Sequence, residues 1–204
     1  MTPVATTPGA AYPLRRRAVV ARLLGARGDL LVVSGLGAPT WDVSAAGDSP
    51  LNFPLWGAMG GAAMVGLGLS LAQPARRVLV LTGDGEMLMG LGALATIALK
   101  RPANLAIVVL DNERYGETGM QATHTAGAAD LAAVAAGAGF PVALDVFDQD
   151  ALDAALPRIR GEAGPVFVNI KVRVEDLPIV APPRDGAYLK DRFRAALLGA
   201  AAAG

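Results

Sequence analysis

The chain has 204 residues, enough for one α/β domain with a full hydrophobic core, and 53% of them are hydrophobic against 18% charged. Lys plus Arg and Asp plus Glu balance at 18 each, so no net field draws in nucleic acid or an anionic membrane, and neither is expected as a partner. The absence of cysteine excludes disulfides, thiolate zinc sites and iron–sulfur ligation, and fits the cytoplasm, the expected location.

In chain order, residues 1–13 lack the apolar core of a signal peptide and are expected to form a flexible arm. A helix is predicted over Leu14–Ala26 and a strand over Leu30–Ser34. From Ser49 to Ala75 no residue is charged, a run that would cross a bilayer on length alone. Pro50, Asn52 and Pro54 break its first third, and the remainder, Gly57–Ala72, is short and Gly-rich. It is therefore predicted as a helix packed closely on protein rather than a membrane span. Strands over Arg77–Thr82, Leu105–Leu110, Val142–Phe147 and Val166–Val172 then alternate with helices over Met87–Lys100, Ala128–Gly139 and Asp150–Ile159. A Pro-rich connector and a helix over Tyr188–Leu198 occupy 175–204, with a frayed Ala/Gly end. The strands are rich in Val, Ile and Leu without period-two alternation, as strands buried on both faces are. The expected fold is one α/β domain over 1–204, three-layered and doubly wound with a mainly parallel sheet, without internal repeats.

The stretch "GDGEMLMGLGALATIALKRPANLAIVVLDN" carries the chemistry. If the strands at its two ends belong to one parallel sheet, Asp84 and Asn112 emerge side by side at the carboxyl edge, where such sheets bind ligands. Gly83 and Gly85 leave no Cβ in the way, so backbone N–H groups can close around an anion. Asp84 is a hard oxygen ligand, Asn112 offers a neutral amide oxygen, and the following loop can turn a main-chain carbonyl inward. With a water and two phosphate oxygens these make an octahedral Mg²⁺ site, so a diphosphate carried on magnesium is the predicted ligand. Gly-Asp-Gly after a strand and Asp-Asn at a strand end are each ordinary turn chemistry; their separation by one helix and one strand is what joins them. "GAMGGA" at Gly57–Ala62 is not a dinucleotide fingerprint: no clean strand ends at Gly57 and the spacing is not G-x-G-x-x-G.

"GDGE" followed by a helix, a strand and "DN" resembles the thiamine-diphosphate motif of the 2-oxo acid decarboxylase and acetolactate synthase group, and "LWGAMGG" resembles the segment that supports the cofactor's pyrimidine there. The likeness runs from Leu30 to about Val172, the diphosphate-binding domain of those enzymes. Within the group, the segment through "ETGMQATHT" looks most like sulfopyruvate and phosphonopyruvate decarboxylases. The resemblance implies thiamine diphosphate and Mg²⁺ as cofactors, with Asp84 and Asn112 binding the metal through side chains and Arg114 through its carbonyl. Gly83, Gly85 and Glu86 would frame the diphosphate, the last two through backbone N–H groups, and Gly57 would accept from the pyrimidine's amino group. Met59 would be the apolar wedge that bends the cofactor, or else a core methionine. Asp111 stands where the group often has Asn, one residue before the ligand position.

The implied activity is decarboxylation of a small 2-oxo acid to an aldehyde and CO₂. The alternatives are carboligation, as in acetolactate synthase relatives, or a non-catalytic cofactor-binding subunit. His124, the only histidine, is the candidate catalytic residue if its loop, with Thr118 and Gln121, folds over the pocket; otherwise it is a surface group. The Arg114 side chain is free to meet an anionic substrate or solvent. In the resembled group a glutamate on a separate pyrimidine-binding domain activates the cofactor. The resemblance therefore implies a β-type subunit that works in a hetero-oligomer with a pyrimidine-binding α-type subunit. The uncharged stretch Gly57–Ala72 is either the centre of that interface or buried in its own domain.

Overall fold

The computed structural model describes residues 12–199, so most of the expected arm and the last residues of the expected frayed end lie outside the described residues. The chain opens with α1 (Arg16–Leu24), β1 (Leu31–Ser34), α2 (Ala38–Ala45), β2 (Asn52–Pro54) and α3 (Ala62–Ala72). The central βαβ unit follows: β3 (Val78–Gly83), α4 (Asp84–Met89), α5 (Ala93–Lys100) and β4 (Leu105–Asp111). A small antiparallel hairpin, β5 (Arg114–Tyr115) and β6 (Gln121–Ala122), leads through a 3₁₀ turn into α6 (Leu131–Ala138). The chain ends with β7 (Val142–Val146), α7 (Gln149–Gly161), β8 (Val166–Lys171) and α8 (Gly186–Leu198).

Six strands form one sheet in the order β2-β1-β3-β4-β8-β7, and every pairing in it is parallel. Successive strand residues point to opposite faces, and both faces are covered. Val32, Leu79, Leu81 and Val108 pack with Val20 and Leu23 of α1, Val43 of α2 and Leu152 of α7. Leu31, Val33, Val80 and Ile107 pack with Leu67 of α3, Ile97 of α5 and Leu131 of α6. Two-sided burial is the physical reason the strands do not alternate in polarity, and it gives the expected three-layer doubly wound α/β fold. The α8 helix returns to the β2 edge, where Phe193 lies 5.1 Å from Phe53 and Arg192 pairs with Asp48.

Four local features differ from expectation. The helix expected over Gly57–Ala72 starts only at Ala62, because Ala58 and Gly60 take φ values of 55° and 84° and break any helix there. The helix expected over Met87–Lys100 is split into α4 and α5 at Gly90, where a Cβ would lie 2.1 Å from the Gly60 carbonyl oxygen, so only a glycine fits. The α2 helix is masked by Pro39 and β-branched residues, although proline belongs in a first turn. The short edge strand β2 was hidden by the prolines that an edge tolerates. No helix among the described residues is long and apolar enough to cross a membrane.

Of the two alternatives for the uncharged segment, burial in its own domain describes one face of α3. Ala62, Ala63, Gly66, Leu67 and Ser70 are buried against the sheet, whereas Met64 and Leu71 on the opposite face are 42% and 52% exposed. A Cβ on Gly66 would collide with Val80 Cγ2 of β3. Gly66→Ala is therefore expected to destabilise the chain: overpacking a stiff, fully buried valine costs about 1–3 kcal/mol, more than the helix-propensity gain of about 1 kcal/mol. Denaturant unfolding of the variant checks this, and a higher midpoint would contradict it.

Candidate active site

The β1 strand is followed by α2 on one face of the sheet, and β3 by α4 and α5, with α5 packing on the other face. The chain thus diverges at the carboxyl ends of β1 and β3 and opens a crevice between them, the usual ligand position in such sheets. Neither α2 nor α4 has a side-chain cap at its start, and although Pro39 has no N–H to give, the other uncapped first-turn N–H groups suit an anion at this edge. Close packing explains the glycines around this crevice. A Cβ on Gly85 would lie 2.7 Å from the Tyr115 ring, and one on Gly35 would strike the Glu86 carboxylate.

The cleft at this edge has a volume of about 570 Å³. Of the residues expected at a site, Met59, Gly83, Asp84, Gly85, Glu86, Asn112 and Arg114 line it, and Gly57 and His124 do not. Met59 is 46% exposed, so it is not a core methionine. His124 is exposed, its Nδ1 3.4 Å from the Tyr115 hydroxyl. Thr118 also lines the cleft and donates to Gln121 Oε1 at 3.0 Å within the hairpin loop.

Asp84 is 2% exposed at the floor of the cleft. Its Oδ2 accepts from Thr123 Oγ1 at 2.6 Å, and Thr125 Oγ1 bridges between it at 3.3 Å and Asp111 Oδ1 at 2.8 Å. Burial, and then the nearby Asp111 carboxylate, push the Asp84 carboxyl up to about 7, against the Thr123 hydroxyl and the backbone at Asp84 and Asn112. Both causes oppose the anion, and both would be offset by a cation beside it. At the end of β4, Asn112 Oδ1 accepts from the Arg114 N–H at 3.0 Å, an Asx turn around Glu113 at φ 62°. Among the described residues no three His, Cys, Asp or Glu side chains are grouped to hold a metal. Asp84 and Asn112, a carboxylate and an amide, both line the cleft; hard oxygens in so small a set suit a Mg²⁺ that brings phosphate and water ligands with it. Glu86 is nearly as buried; its Oε2 accepts from Thr82 Oγ1 at 2.7 Å, its Oε1 has no partner, and burial raises its pKa.

Several residues of the site were not anticipated. Thr123, Thr125 and Tyr115 come from the hairpin region, which sequence periodicity does not reveal. The connector after β8 runs along the cleft through Val174–Leu177 and Ile179. It is tied there by Arg17 Nη2 donating to the Pro178 carbonyl at 2.9 Å, by Arg15 pairing with Glu175 at 2.7 Å, and by Trp56 Nε1 donating to the Pro183 carbonyl at 3.0 Å. Between them Arg16 is buried against Asp42, so each of the three consecutive arginines has a partner within the fold, although Arg15 itself stays exposed. That clustering of charge was the available signal.

The family model described as thiamine pyrophosphate enzyme, C-terminal TPP binding domain, matches residues 39–170. The chain belongs to this family. As a thiamine pyrophosphate-binding domain it is 39% identical over 187 residues to the sulfopyruvate decarboxylase subunit beta of Methanothermobacter thermautotrophicus, a match covering 92% of this chain and 97% of that one. It is 38% identical over 187 residues to phosphonopyruvate decarboxylase of Streptomyces viridochromogenes, covering 91% of this chain but 47% of that one. The chain thus spans nearly the whole of the first relative and about half of the second. A solved structure of a candidate thiamin diphosphate-dependent enzyme from Mycobacterium smegmatis superposes with a TM-score of 0.68 at 24% identity, over 80% of this chain and 32% of that one, and shares the fold.

Proposed function

We propose that this chain is the diphosphate-binding subunit of a thiamine-diphosphate-dependent decarboxylase that converts a sulfopyruvate- or phosphonopyruvate-like 2-oxo acid to an aldehyde and CO₂. The observation that carries this is the pair of relatives with nearly equal identity, one a whole β subunit and the other a chain twice as long. The chain then corresponds to one half of a decarboxylase, and a pyrimidine-binding α-type subunit supplies the other half. When bound, thiamine diphosphate supplies the electron sink for the bond pair left as CO₂ departs.

The chain's own residues bind and orient. Asp84 and Asn112 hold Mg²⁺ by side-chain oxygens and Arg114 by its carbonyl, while the N–H groups of Gly85 and Glu86, beside Gly83, take the diphosphate. Gly57, in the loop before α3 and outside the cleft lining, would offer its carbonyl to the pyrimidine at the margin of the site. Met59 lines the cleft and would be the apolar wedge against the cofactor. The Arg114 guanidinium, with Nη1 donating to the Glu113 carbonyl at 3.0 Å, keeps its other nitrogens for an acidic substrate group. His124 reaches substrate only through its Tyr115 contact or a movement of the hairpin.

Met59→Ala is expected to leave stability within about 0.5 kcal/mol, as for other exposed positions, and to leave diphosphate affinity unchanged while slowing exchange of the cofactor's C2 proton. Exchange at the wild-type rate would remove Met59 from the site. The function is tested by co-purifying the chain with its natural partner and titrating the complex with thiamine diphosphate and Mg²⁺. Product analysis with pyruvate separates decarboxylation from carboligation: acetaldehyde supports this function, and acetolactate would transfer the complex to the carboligases.

A further inference from the structure

We propose that Lys171 is a positioning residue for the magnesium loop, neutralising Asp111 and clamping Glu113 so that Asn112 and the Arg114 carbonyl are held in one turn. This rests on the assignment of Asn112 and Arg114 to the metal. Lys171 closes β8 and stands directly opposite Asp111 in the β4–β8 ladder. It is 8% exposed, and its three ammonium protons have three acceptors: Asp111 Oδ2 at 2.9 Å, Glu113 Oε1 at 2.9 Å and the Thr125 carbonyl at 3.2 Å. The same lysine therefore ties together both residues flanking Asn112 and the threonine that bridges Asp84 and Asp111.

Stability alone does not account for this cluster, since a buried ion pair is often no better than well-packed apolar side chains. Geometry does account for it. Glu113 sits at φ 62°, a left-handed conformation costly for a residue with a Cβ. It is held there by Lys171 and by the Tyr12 hydroxyl, which donates to Glu113 Oε1 at 2.7 Å. Asp111 is fixed equally firmly, with Oδ1 accepting from the Glu113 N–H at 3.0 Å and Oδ2 accepting from Asn169 Nδ2 at 3.2 Å as well as from Lys171. With both neighbours anchored, the peptide between them has one orientation. The lysine also commits Asp111, a second carboxylate close to the site, to β8 and away from the cation.

The test uses the full chain in its native assembly, comparing wild type, Lys171→Met, Asp111→Asn/Lys171→Met and Tyr12→Phe by calorimetric titration with Mg²⁺ and thiamine diphosphate. Lys171→Met is expected to weaken binding by about 10–100-fold, the usual loss when a supporting partner of a metal ligand is removed. Adding Asp111→Asn removes the stranded charge and should recover part of that loss, so the double variant binds more tightly than the single. Tyr12→Phe, which deletes one hydroxyl and keeps the fold if Lys171→Met does not, should weaken binding to a smaller extent. Amide hydrogen exchange over residues 112–123, measured without cofactor, should follow the same order, fastest in Lys171→Met. If wild type fails to bind the cofactor, the functional assignment falls, and the exchange order alone decides the role of Lys171. Wild-type affinity and exchange with only a lower melting temperature would make Lys171 merely structural, and a double variant no better than Lys171→Met would overturn the neutralising role.

Discussion

Asp84→Ala is expected to abolish Mg²⁺-dependent retention of thiamine diphosphate by the assembled enzyme. Asp84 contributes the one anionic ligand in the proposed set, and its loss leaves the cation with neutral protein oxygens and the diphosphate charge poorly compensated in a partly desolvated cleft. Asn112→Ala removes only a neutral ligand and should weaken binding less. Calorimetric titration of the two variants checks the order. Wild-type affinity in Asp84→Ala would remove the site from this edge of the sheet.

The same carboxylate makes a second result testable in chelator, without metal. Burial and Asp111 raise its pKa from the ordinary 3.8 to about 7. A carboxyl with a raised folded-state pKa costs no stability below its unfolded pKa, and its penalty grows with pH until it is complete above the folded pKa. Asp84→Asn should therefore raise the melting temperature of the chelated protein at pH 8 and change it little at pH 4, while it abolishes binding.

The second large effect concerns assembly. Expressed without its partner, this chain is expected to have no decarboxylase turnover above the rate of free thiamine diphosphate, and mixing with the α-type subunit should restore it. The proposed cofactor site uses only loops on one sheet edge, and the cleft wall is open where Met59 is exposed. The bare apolar face of α3, with Met64 and Leu71, and the exposed Met89 offer surface that association would cover. Size analysis of the chain alone and mixed, with activity assayed across the peaks, checks this. Full activity from the isolated chain would overturn the two-subunit arrangement.

The parallel sheet was legible because burial on both faces erases polarity alternation, and Val, Ile and Leu runs at Leu31–Ser34, Val78–Gly83 and Leu105–Asp111 carry that mark. The side-by-side emergence of Asp84 and Asn112 followed from adjacency of β3 and β4. What escaped was set by contacts remote in sequence. The glycine at position 60 that splits two helices acts through Gly90, and the lysine at 171 acts through Asp111 and Glu113. The connector is read as a simple link to the last helix until Arg15 and Arg17 are seen to tie it along the cleft. Neither propensity nor periodicity encodes such pairings, whereas a charge at the end of an apolar strand, as in Val166–Lys171, is a signal that one exists.

The most direct measurement is release of CO₂ and aldehyde from sulfopyruvate, phosphonopyruvate and pyruvate by the two-subunit assembly, with and without thiamine diphosphate and Mg²⁺, and with Asp84→Ala as control. The expected result is turnover of an acidic 2-oxo acid in preference to pyruvate, dependent on both cofactors and absent in Asp84→Ala. Cofactor-independent turnover, or no decarboxylation of any 2-oxo acid by an assembly that binds thiamine diphosphate, would contradict it.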